Sequence, residues 1–210
     1  MIELVSMAED YLQRKKAWDV SFQAPAEKTS SREDISRVRP AIANAAKVIP
    51  HLAPYNPLFV EEPVLPEYTH RLRDLTASSP VPLALGERLY SRTDVLPALT
   101  AGVAVLQPDL SHAGGISEVK RIAAMAEAYD VAVAPHCPLG ALAFMSCIQV
   151  AASTPNVVLQ EMSIGIHYNV GYDLTAYVKD TSIFGVKDGM VAGAEGPGLG
   201  VEIDVQVGRG

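Results

Sequence analysis

Five short apolar runs in this chain each close on an acid or a histidine: FVEEP brings Glu61, LALGER Glu87, VLQPD Asp109, VAVAPH His136 and VVLQE Glu161. These end residues follow one another at spacings of 26, 22, 27 and 25, each about the length of one strand, one helix and two loops. The runs are apolar at nearly every position, as strands are when both faces of a parallel sheet are covered. Parallel strands in register bring all five side chains to one rim. In a (β/α)8 barrel that rim is the carboxyl-terminal face, where catalytic groups from several strands converge. The pattern predicts an α/β fold, part of a TIM-type (β/α) barrel, with its chemistry at the strand ends.

Between the runs the period changes to that of helices. Residues 67–77, 92–100 and 139–152 read as helices, and residues 40–52 as the helix that precedes FVEEP. The Gly-rich SHAGG turn opens a further helix, whose Val119, Ile122, Ala123 and Ala126 share one apolar face. Residues 1–40 form a divergent amino-terminal segment: LVSMAEDYLQRKKAW has the pattern of an amphipathic helix, and QAPAEKTSSREDIS that of a polar linker. Residues 41–210 are the expected partial barrel, without a capping domain. The glycine-rich EGPGLGVEIDVQVGRG shows no final helix, and both ends read as cut.

The chain has 210 residues, while a whole (β/α)8 barrel takes about 250. An apolar share of 49% and a charged share of 20% suit a globular domain; no stretch approaches the roughly 20 apolar residues of a membrane span. No secretory leader pattern opens the chain, so the expected location is the cytoplasm and no membrane partner is expected. A net charge of -7 argues against nucleic acid, which calls for clustered Lys and Arg. Cys137 and Cys147 have neither CxxC nor zinc-site spacing and read as small buried apolar residues.

The strand-end acids carry the first chemical suggestion. Glu61 and Glu87 are hard oxygen ligands of the kind Mg2+ takes, and a divalent cation relieves the repulsion of two carboxylates at one rim. Equally, each acid is satisfied if it is solvated or paired with Arg71, Arg88 or Arg92. Glu62, on the opposite face of its strand from Glu61, reads as a supporting acid. A lone His136 is more often structural than catalytic, but Asp109 at the end of the preceding strand fixes its tautomer and raises its basicity, making it a competent general base. Glu161 on the next strand adds a hydrogen-bonding group or a salt-bridged acid. His112 and His167 are candidate substrate contacts, His112 near a helix amino terminus suited to an anion; a loop histidine in water is the alternative.

FVEEP, LGERLYSR, QPDLSHAGGISE, AEAYDVAVAPHCPLG, LQEMSIGIHYN and GPGLGVEI together resemble the barrel domain of the enolase superfamily, within it the mandelate racemase group and its galactonate dehydratase-like members. The likeness runs from about Ile49 to Ile203. It implies Mg2+ as cofactor, with Glu61 and Glu87 as two of three metal-binding acids. It also implies a base formed by His136 and Asp109, and a last-strand acid at Glu161. The implied activity is that of a hydro-lyase: α-proton abstraction from a galactonate-like aldonate and loss of the β-hydroxyl give a 2-keto-3-deoxy acid. The first metal-binding Asp of these enzymes lies in a D-F-H-G-R motif. The nearest stretch here, Asp34-Ile35-Ser36-Arg37-Val38, makes Asp34 the candidate third ligand but lacks the histidine that donates a proton in the family.

Two functional expectations follow. One is an Mg2+-dependent sugar-acid dehydratase acting on a small molecule; the other is a catalytically inactive, truncated remnant of such an enzyme. A Schiff-base aldolase is set aside because Lys120, Lys179 and Lys187 all lie away from strand ends. An incomplete barrel leaves unpaired strand edges, so a homo-oligomer is expected.

Overall fold

The computed structural model describes residues 2–3, 41–164 and 173–206. Its centre is a four-stranded parallel sheet of β2 (Val60–Glu61), β3 (Leu83–Leu85), β4 (Val105–Leu106) and β5 (Ala132–Val133), in chain order. Helices α1 (Ala41–Leu52), α2 (Leu72–Ser78), α3 (Arg92–Ala101), α4 (Gly115–Ala128) and α5 (Ala141–Ala152) alternate with the strands. A separate two-stranded pair joins β1 (Ile2–Glu3) antiparallel to β6 (Met190–Val191). The central unit is a sector of a (β/α) barrel.

Alternation along the strands divides the core in two. Leu83, Leu85, Leu106 and Val133 face the helices and join the large apolar cluster, which includes Leu72, Leu75, Ile122, Phe144 and Ile148. Ala84, Val105 and Ala134 form a smaller cluster on the other face, with Phe59, Ala132 and Leu159 packed against it. Each fully buried Leu, Ile or Phe is worth about 1.5–3 kcal/mol of transfer free energy, so the helix side carries most of the stability. The α4 face expected from sequence is realised: Val119, Ile122, Ala123 and Ala126 are all 0% exposed.

Local sequence sets the helix ends. Ser91 accepts the Asp94 N–H at 3.2 Å and donates its hydroxyl to Asp94 Oδ2 at 2.8 Å, a reciprocal cap that opens α3, and Gly102 closes it at φ 83°. A Ser91→Ala variant is therefore expected to lose about 1 kcal/mol of stability, measurable by urea unfolding. Gly114 and Gly115, at φ 84° and 82°, form the turn into α4.

Two expected elements take a different form. Within residues 67–77 the chain makes a 3-10 helix over Pro66–Arg71 before α2, because Pro66 opens the turn and Thr69 Oγ1 donates back to Pro66 O at 2.6 Å. VVLQE does not form a strand: a single parallel bridge joins Val133 and Val157. Pro135 continues β5 and has no N–H to donate to the next strand, which interrupts the ladder there, and its carbonyl accepts from the Gln160 carboxamide at 3.0 Å. The amino-terminal helix and linker expected over residues 1–40 lie, apart from Ile2–Glu3, outside the described residues.

The carboxyl-terminal segment packs on α5. Phe184 meets Phe144 at a centroid distance of 6.1 Å. Tyr177 Oη accepts the Leu142 N–H at 3.4 Å and sits where a Cβ on Gly140 would come within 2.8 Å. Among the described residues no helix is long and apolar enough to cross a membrane.

Candidate active site

The register shows how the rim is assembled. Glu61 pairs with Ala84 across β2 and β3, so it enters three residues earlier along the sheet than Glu87. Asp109 and His136 lie beyond β4 and β5 and are themselves joined by a parallel bridge. The polypeptide thus places the two side chains on adjacent strand extensions, pointing the same way.

Asp109 is 1% exposed and makes two hydrogen bonds: Oδ2 accepts from His136 Nδ1 at 2.9 Å and Oδ1 from the Ser111 N–H at 2.7 Å. Burial would push its carboxyl up, but the bonds from His136 and Ser111 outweigh that and hold it below the usual carboxylate range. His136 Nε2 stands 2.8 Å from Glu87 Oε2 and 3.9 Å from Glu161 Oε2. Burial would lower the imidazole pKa, yet the Asp109 hydrogen bond and the charges of Glu161 and Glu87 raise it above the ordinary value. Glu161 is anchored by the Cys137 N–H, which donates to its Oε2 at 2.7 Å.

These shifts fix the sign of a pH effect. A lowered Asp109 pKa contributes stability above the unfolded carboxylate value, lost as pH falls through the folded one. A raised His136 pKa contributes stability below the unfolded histidine value, lost as pH rises through the folded one. Without added divalent metal, the melting-temperature advantage of the parent over Asp109→Asn is expected to peak between about pH 4 and 6.5 and to shrink on both sides.

Glu61 accepts a hydrogen bond from Gln107 Nε2 at 3.0 Å. Burial first, then the neighbouring carboxylates Glu161 and Glu87, push its pKa up. An acid at the open end of its strand, crowded by two others and with no Lys or Arg ion pair among the described residues, matches the donor chemistry that a hard cation satisfies. Glu61 and Glu87 fit Mg2+ in that respect. Among the described residues no group of three His, Cys, Asp or Glu closes around one point.

The arginine alternatives resolve unevenly. Arg92 pairs with Glu118 at 2.6 Å, away from the rim, whereas Arg88 pairs with Glu62 and stands 3.8 Å from Glu87 Oε1. His112 lies at the border: its side chain is 47% exposed, its Nδ1 is 3.4 Å from Glu87 O, and its ring meets Tyr90 edge-on at 6.0 Å. Asp34 and His167 lie outside the described residues. Gln107 was not among the sequence candidates, although it stands two residues before Asp109 and so shares its strand face. Cys137 and Cys147 are buried free thiols, as expected.

The arrangement holds one imidazole nitrogen on a buried carboxylate and turns the other toward a group of acids. An imidazole oriented in this way by a buried carboxylate has the chemistry that proton transfer requires.

Comparison with known proteins places this arrangement in context. Residues 37–207 match the enolase C-terminal domain-like family. The chain is 53% identical over 164 residues to a D-galactonate dehydratase of Xanthomonas axonopodis pv. citri, covering 78% of this chain and 43% of the relative. It is 53% identical over 167 residues to a D-galactonate dehydratase of Variovorax paradoxus, covering 79% and 44%. The chain thus spans less than half the length of these curated relatives. Among solved structures, an enolase from Agrobacterium radiobacter bound to Na and L-malate superposes with a TM-score of 0.72 at 39% identity, over 79% of this chain and 44% of that one. A mandelate racemase/muconate lactonizing enzyme-like protein from Roseovarius sp. TM1035 gives 0.71 at 37% identity, over 80% and 41%.

Proposed function

The chain belongs to the enolase C-terminal domain-like family, and from that membership and the rim geometry we propose that it dehydrates a sugar acid of the galactonate type with Mg2+ as cofactor. The observation that carries this reading is the Asp109–His136 hydrogen bond of 2.9 Å, with Nε2 turned toward Glu87 and Glu161. Glu61 and Glu87 would hold the Mg2+, with Asp34 as third ligand. Bound there, the cation supplies positive charge at the substrate carboxylate, easing the second negative charge that develops when the α-proton leaves.

The chain's own residues do the rest. Asp109 keeps the proton on Nδ1, so Nε2 is the nitrogen that takes the α-proton. Glu161, fixed by the Cys137 N–H, borders the same space as His136 Nε2, and His112 is the described histidine placed to contact a substrate hydroxyl. The β-hydroxyl takes one proton from solvent and departs as water, His136 returns the α-proton to solvent, and the enol that remains rearranges to the 2-keto-3-deoxy acid.

The test is incubation of the chain with galactonate and Mg2+ in D2O, followed by mass spectrometry and proton NMR. The expected result is loss of one water with a 2-keto product. Absence of both dehydration and α-deuterium exchange, across a panel of aldonates, would overturn the reading.

A further inference from the structure

Glu62 follows Glu61 immediately and has a left-handed backbone, φ 45°. A non-glycine residue adopts that conformation only when its surroundings compensate the strain, which is on the order of 1 kcal/mol or more. The compensation is visible. Glu62 Oε1 accepts the Gly86 N–H at 3.0 Å, and Oε2 accepts Arg88 Nε at 3.1 Å and Arg88 Nη2. Arg88 Nη2 also donates to Val64 O at 3.2 Å. Gly86 and Arg88 are the two neighbours of Glu87, so both are tethered to one carboxylate while Glu87 projects between them.

We propose that Glu62 and Arg88 form a positioning brace that sets the Glu87 carboxylate against His136 and fixes its separation from Glu61. The inference rests on the reading of Glu87 as a functional carboxylate. An ordinary surface ion pair is worth no more than about 1 kcal/mol and positions nothing. This one differs in three ways: the Glu62 side chain is only 13% exposed, it binds backbone as well as guanidinium, and it spans two strand ends. Its effect reaches the site through the backbone. Releasing Gly86 and Arg88 lets the Glu87 loop turn, and the 2.8 Å contact between Glu87 Oε2 and His136 Nε2 is the first to lengthen. The brace therefore acts on geometry, through the backbone and through Arg88 Nε, which stands 3.8 Å from Glu87 Oε1.

The test compares Glu62→Ala, Glu62→Gln and Arg88→Lys with the parent chain. One readout is the Nε2 nitrogen-15 resonance of His136 in histidine-labelled protein, assigned by its loss in His136→Asn. The other is Mn2+ affinity from water-proton relaxation. Glu62→Ala is expected to broaden or shift the resonance and to weaken Mn2+ on the order of tenfold. Glu62→Gln, which keeps an oxygen for the Gly86 N–H, should restore most of both; Arg88→Lys, which loses the fork, should fall between. Unchanged resonance and affinity in the folded variants, with only the melting temperature altered, would overturn the brace. If the parent binds no Mn2+, the dehydratase reading fails. The brace is then decided by the resonance alone, and its persistence in Glu62→Ala or, should that variant not fold, in Arg88→Lys overturns it.

Discussion

Replacing His136 with Asn is expected to lower sugar-acid dehydration and α-deuterium exchange by roughly a thousandfold, the middle of the range for a lost general base. The carboxamide is close in size and can still donate to Asp109, so the buried acid keeps a partner, but it has no nitrogen lone pair of useful basicity. Asp109→Asn should do less harm, since the imidazole remains while its Nδ1–H loses a charged acceptor. The order of the two losses is itself diagnostic. Steady-state rates at saturating substrate, together with circular dichroism to show an unchanged fold, check it; a His136→Asn enzyme with most of the parent rate would remove the base assignment.

Gly86→Ala should produce the largest loss of stability among single-methyl additions near the site, about 3 kcal/mol. Gly86 has φ 152°, a backbone region that L side chains rarely adopt, and a Cβ there would lie 2.6 Å from Gln107 N and 2.8 Å from its carbonyl carbon. Those are backbone atoms of the adjacent strand extension and cannot swing aside. Guanidinium unfolding measures the loss. A second consequence follows from the neighbours: pushing Gly86 away from Gln107 moves Glu87 on one side and the Gln107–Glu61 hydrogen bond on the other. The variant should therefore lose cation affinity even at temperatures where it remains folded.

Much of the fold was legible because near-uniform apolar runs and helical periods alternate with regular spacing. The α4 face was readable residue by residue, since a 3.6-residue repeat of apolar positions has one physical solution against a sheet. The rim residues were legible for the same reason: strand ends in a parallel array share an edge. The shortened fifth run was not, because the lack of an N–H at Pro135 matters only once its neighbour is known. Gln107 was overlooked although the period of two pointed to it. From sequence the arginines are candidate partners of Glu61 and Glu87, whereas Arg88 takes Glu62, whose backbone makes a left-handed turn there. The offset of Glu61 along the sheet depends on pairing register, which no single strand encodes.

The contact of Tyr177 with the Gly140–Leu142 stretch bears on the order in which the molecule is made. From α1 to α5 each element packs chiefly on its neighbours in sequence, so these layers can consolidate one after another as the chain leaves the ribosome. The loop that follows His136 has no such local support. Its cover comes from residues 35 positions further along, and Phe184 closes over α5 later still. The loop beside the base is thus held by residues that lie later in the chain. A nascent chain halted before Tyr177 would carry the rim acids on a formed sheet with the His136 loop uncovered.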